Sequence, residues 1–125
     1  MTYQVDFNDL PVVRNARIMQ GDTYREPYEI WLNDQPLDLT GATVKAAIRR
    51  SPGRGEIVSQ SDAVIDDATA GQFTVIISAA DTATMLGDYY YEVEIVWPEG
   101  SNAFAEGCTK TVVAGHFTVA EDVLH

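Results

Sequence analysis

Glu92 and Glu94 stand two residues apart in the run "DTATMLGDYYYEVEIVW", Asp81 to Trp97. On an extended chain their carboxylates share one face about 7 Å apart, a separation that glycosidases use for paired acid and base work. That chemistry also needs a cleft to perturb one carboxyl, and alternation puts both glutamates on the solvent side of a strand. They read as a charged, solvated face. Cys108 and His116 are the other residues that could form a nucleophilic pair. Both have even parity on one predicted strand, but eight residues separate them by roughly 26 Å if that strand is continuous. His125 is the last residue of the chain. Asp62, Asp66 and Asp67 could collect a cation weakly. They lack the D-x-D-x-D-G spacing and closing glutamate of a calcium loop.

The sequence carries no G-x-G-x-x-G, no G-x-x-x-x-G-K and no H-E-x-x-H. "SPGRGE" at 51–56 has the glycines of a phosphate loop but no lysine, so it reads as a hairpin turn. The expectation is therefore a non-enzymatic chain with no catalytic residue, no cofactor and no metal.

The elements that would have to position any site are strands. Residues 13–20, 24–33, 42–50, 57–65, 72–78, 88–97 and 109–119 show a period of two, broken by turn signals such as "QGDT", "NDQP" and "DDATAG". On one face of each strand lie Tyr24, Tyr28 and Ile30, then Val44, Ala46 and Ile48, then Phe73, Val75 and Ile77, then Tyr89, Tyr91, Val93, Ile95 and Trp97. Leu37 and Leu39 also point inward. The other faces are polar, which implies antiparallel sheets with one side in water. Ser78 and Asp81 have the spacing of a helix N-cap, and Gly87 suits the residue after the helix. The expected fold is all-β: an immunoglobulin-like antiparallel β-sandwich of about seven strands with one short helical turn. Gly115 in the last strand marks a bulge or a close approach.

At 125 residues the chain is the size of one domain. We divide it into a leader at 1–12, a sandwich at 13–120 and a tail at 121–125. The net charge of −11 is uneven: residues 1–54 hold seven acids and seven bases, residues 55–125 twelve acids against Lys110 alone. Such a surface repels phosphate backbones and anionic lipid, so neither nucleic acid nor membrane is an expected partner. A single cysteine allows no internal disulfide, and no signal peptide or membrane-length apolar run is present.

Aromatic and apolar residues in polar surroundings remain as contact candidates, since aromatics dominate interface hot spots. Tyr3, Val5, Phe7 and Leu10 lie in the leader. Trp31 and Tyr90 fall on faces that alternation makes polar, and Phe104 lies in the long loop 98–107. A bulge that turns Trp31 inward, or a leader that covers it, would remove it from this set. The three tyrosines are split by alternation: Tyr89 and Tyr91 face the core, Tyr90 faces out. Leu86-Gly87-Asp88-Tyr89 has the pattern of a tyrosine corner.

Three stretches together resemble one family. "GDTYREPYEIWLNDQPLDLTGATVKAAIR" (21–49), "DDATAGQFTVIISAADTATMLGDYYYEVEI" (66–95) and "GHFTV" (115–119) are similar, in order and spacing, to the immunoglobulin-like N-terminal domain of phage baseplate upper proteins. The resemblance implies a structural protein of a tailed-bacteriophage virion, an adaptor in the tail or baseplate that acts through protein–protein contacts. Its partners would be other virion proteins, met in multiple copies within a symmetric assembly, and its place the virion after synthesis in the host cytoplasm. Baseplate upper proteins continue beyond this domain towards host-recognition parts, whereas this chain ends at residue 125. A capsid decoration protein, or a glycan or cell-surface binding module using exposed aromatics, is the alternative.

Overall fold

The computed structural model describes residues 2–52 and 54–121, Arg54 by its backbone only. Most of the expected tail, with His125, and Gly53 in the basic turn lie outside the described residues. In chain order the elements are β1 (Tyr3–Asp6), a 3-10 turn (Phe7–Asp9), β2 (Val12–Val13), β3 (Ala16–Met19), β4 (Tyr24–Leu32), β5 (Gln35–Pro36), β6 (Thr43–Ser51), β7 (Arg54–Asp62), β8 (Val64–Asp67), β9 (Gln72–Ile77), α1 (Ala79–Thr82), β10 (Gly87–Trp97) and β11 (Cys108–Ala120).

They form two sheets. The first runs β1-β4-β9-β8, with β5 also on β4; the second runs β2-β11-β10-β6-β7, with β3 also on β11. The fold is an all-β sandwich, as the alternation required. Tyr28, Ile30, Phe73, Val75 and Ile77 from the first sheet meet Val44, Ile48, Tyr91, Val93, Ile95 and Trp97 from the second, and all are buried. Removing this apolar surface from water is the main favourable term, about 25 cal/mol for each Å². Trp97 donates its indole N–H to the Asp38 carbonyl at 3.0 Å, which lets a large side chain with one polar atom sit in the core.

Two features of the strand order were not foreseen. First, the leader is not separate from the sandwich. β1 pairs in parallel with β4, Val5 opposite Ile30, and Val5 is fully buried. β2 and β3 then pair in parallel with β11 in the other sheet. Residues 3–19 thus stitch both sheets, and among the described residues only the pairings made by these segments are parallel. The boundary expected at residue 12 therefore does not separate two structural units. Second, the strand expected at 57–65 divides. Ala63 donates to the Val44 carbonyl at 2.8 Å, and the chain then leaves the second sheet as β7 and enters the first as β8.

The local signals act as expected. Ser78 accepts from the Asp81 amide and caps the single turn of α1. Gly87 takes φ +99°, which an L side chain rarely adopts. Gly115 is a close approach, since a Cβ there would lie 2.1 Å from the Arg14 carbonyl oxygen. The bulge in β11 lies at Val112, between Val113 opposite Val93 and Thr111 opposite Glu94.

Candidate interaction surface

The catalytic pairs weighed from sequence do not assemble. Cys108 sits opposite Trp97 and His116 opposite Tyr90, at separate places along β10. Glu92 is engaged by Arg49, Nε to Oε1 at 2.8 Å, while Glu94 stays exposed. Asp66 accepts from the Thr74 hydroxyl at 2.6 Å, and Asp67 from Thr69 and the Ala70 amide. Among the described residues no three metal-ligating side chains converge. No helix among them is long and apolar enough to cross a membrane.

Most contact candidates are used by the domain itself. Val5 is buried in the core and offers nothing to a partner, because its strand already belongs to the first sheet. Tyr3 packs edge-on against Tyr28, with its ring under the Arg14 guanidinium at 4.4 Å. Arg14 is paired in turn with Glu26, which raises its pKa. Phe7 and Phe104 stack at 5.4 Å and both meet Trp97, so the leader and the 98–107 loop close one end of the sandwich together. Leu10 is half-buried against the core. Trp31, opposite Asp6 of β1 and Pro36 of β5, is half-buried. Its indole N–H is buried and lacks a hydrogen-bond partner among the described residues.

Tyr90 is different. It lies against His116, ring centroids 5.1 Å apart, on the outer face of the second sheet. The two rings line a groove of about 470 Å³ together with Ala114, Gly115, Val13, Arg49 and Pro52. Four strands supply it because β2, β11, β10 and β6 are neighbours in that order. Asn15 ties the rim, its side-chain oxygen accepting from the His116 amide at 2.9 Å. Val13 is 72% exposed, the most exposed large apolar residue described. The size and lining of the groove suit an apolar or planar group. Alternation placed Tyr90 on the outer face but carried no signal for Val13, Arg49 and Pro52, since only the strand order brings them there.

The other tyrosines are interior groups. The Tyr28 and Tyr91 hydroxyls from opposite sheets lie 3.3 Å apart, and Tyr24 packs edge-on against Tyr91. Burial raises the pKa of all three above the ordinary tyrosine range. They are structural hydroxyls, not proton donors poised near neutrality.

Residues 1–95 match the BppU N-terminal domain, the N-terminal domain of baseplate upper proteins. The chain belongs to this family. BppU N-terminal domains are structural domains of phage baseplates, which sets the chain among tail and baseplate components of a virion. The match stops inside β10, so β11, which pairs along almost all of β10, lies beyond it. The fold itself is similar to the N-terminal domain of phage TP901-1 ORF48, with a TM-score of 0.57 and 17% identity, over 96% of this chain and 99% of that chain. A search of curated proteins found no match.

Proposed function

We propose that this BppU-type domain is a non-enzymatic adaptor in a tailed-phage baseplate. It holds neighbouring virion proteins together by surface complementarity and is present in several copies. The observation that carries the reading is the family match over residues 1–95. The groove edged by Tyr90 and His116 supports it, because it is a concave outer surface that the described side chains leave open. Repeated copies in a symmetric assembly give avidity that one modest contact lacks. The leader contributes by fixing the sandwich, with Tyr3 and Leu10 left partly accessible at its rim.

The test is the composition of purified particles. Phage carrying Tyr90→Ala should yield a folded domain that enters virions in reduced amount, measured by quantitative mass spectrometry of particles. Complete absence of the wild-type chain from virions would sink the adaptor reading. A second reading, sugar binding at the same groove, draws on the adjacent Tyr90 and His116 rings. Glycan-array binding that Tyr90→Ala abolishes, with virion incorporation unchanged, would favour it.

A further inference from the structure

Among the described residues, β7 and β8 form one continuous side edge of the sandwich. β7 ends the second sheet, β8 ends the first, and the chain passes directly from one to the other through Ala63. Proteins ordinarily protect such edges with charged side chains, lysine above all, with proline, with bulges or with short strands. Residues 55–67, "GEIVSQSDAVIDD", contain neither lysine nor proline, and β7 is nine residues long. The pairing of β6 with β7 is irregular near Arg49, but from Ser59 to Asp62 the register is unbroken.

The direction of the free backbone groups follows from one hydrogen bond. Ala63 donates to Val44, its opposite residue. In an antiparallel ladder the bonded pairs alternate, so Ser61 and Ser59 also face β6. The N–H and C=O groups of Gln60 and Asp62 then point away from β6, and the side chains of both residues are exposed. Two of the four large apolar residues exposed among the described residues, Ile57 and Val64, lie on this same edge. Between and beyond them stand Glu56, Asp62, Asp66 and Asp67, with no basic residue from 55 to 67. Asp62 has Lys45 beside it on the β6 side, and Glu56 meets Arg50 only at 3.8 Å with both exposed.

We infer that the β7–β8 edge accepts an added strand from another virion protein, an extended segment that alternates basic and apolar side chains. The segment takes backbone hydrogen bonds from Gln60 and Asp62, sets its apolar residues beside Ile57 and Val64, and its cations beside the four carboxylates. This inference rests on the adaptor reading, and it names the partner's chemistry.

The probe is a short synthetic peptide alternating lysine and valine, with its glutamate counterpart as control. Amide exchange is read by NMR. The lysine peptide should slow exchange at Gln60 and Asp62 by about tenfold or more and leave Ser59 and Ser61 unchanged. The glutamate peptide should do neither. Gln60→Pro removes an outward donor without touching the β6 ladder and should abolish the protection at Asp62. Asp62→Lys, checked for folding by its melt, should weaken binding through charge alone. Equal binding of both peptides, no binding, or protection mapping to β1 or the Tyr90 groove would overturn the inference. In phage, normal baseplates with Asp62→Lys would refute the edge and leave the adaptor reading intact. Normal baseplates lacking the whole domain would refute the adaptor reading instead.

Discussion

The Tyr89 hydroxyl accepts from the Leu86 amide at 3.0 Å and faces the Leu86 carbonyl at 3.3 Å, closing the corner between α1 and β10. One phenol satisfies two backbone groups where the helical turn has ended and the strand has not begun. Tyr89→Phe should cost about 1–2 kcal/mol by stranding a half-buried amide. Urea denaturation reads it, and an unchanged midpoint would count against the corner.

Gly115 is held against the segment that joins β2 to β3. An alanine Cβ would lie 2.1 Å from the Arg14 carbonyl oxygen and 2.9 Å from the Asn15 side-chain oxygen. Gly115→Ala should therefore push that segment off β11, at about 1–3 kcal/mol in the manner of an overpacked core. Hydrogen exchange should speed up at the Arg14 amide, which bonds the Ala114 carbonyl at 2.9 Å, and at the His116 amide. Loss of protection in α1 instead would contradict this account.

The leader is part of the sandwich rather than a free contact segment. A free docking arm could be deleted without harm to the domain. Here Val5 is fully buried and β1 covers the edge of β4. Val5→Ala should lower stability by about 1–3 kcal/mol through lost burial and an imperfectly refilled space. Removing residues 2–12 should do worse, exposing Tyr28 and breaking the Phe7–Phe104 stack. A truncated chain that melts at the wild-type temperature would show that the strand is dispensable.

Alkaline behaviour follows from the buried tyrosines. Tyr24, Tyr28 and Tyr91 have folded pKa values raised mainly by burial. Their unfolded value is about 10, so between there and the folded values the unfolded chain has fewer bound protons than the folded one. Stability is then unaffected below about pH 10 and falls above it, by up to about 1.4 kcal/mol per pH unit for each tyrosine. Absorbance titration near the tyrosinate band should show these three ionising only as the protein unfolds. Their ionisation with native circular dichroism retained would refute the buried assignment.

These cases mark what was legible in the sequence. Alternation along β10 placed Tyr89, Tyr91, Val93, Ile95 and Trp97 inside because side-chain direction in a strand depends only on parity. The Ser78 cap and the Tyr89 corner were legible because both are made within four residues. Which strand lies beside which depends on pairings between distant residues, and no local signal carries them. Tyr3, Val5 and Phe7 therefore looked like a free arm, and the groove joining Val13 to Arg49 was invisible. Phe104 looked exposed because its partners, Phe7 and Trp97, come from elsewhere in the chain.

The same pairings bear on how the chain matures. Ala16 lies opposite Phe117 and Val12 opposite Val113, so β2 and β3, made well before β11, wait for it before they can pair. Contacts of such long sequence separation slow folding and prolong the exposure of unpaired strands. The second sheet closes only after β11 has emerged, so a chain stalled or clipped before β11 leaves β2 and β3 without their partner strand.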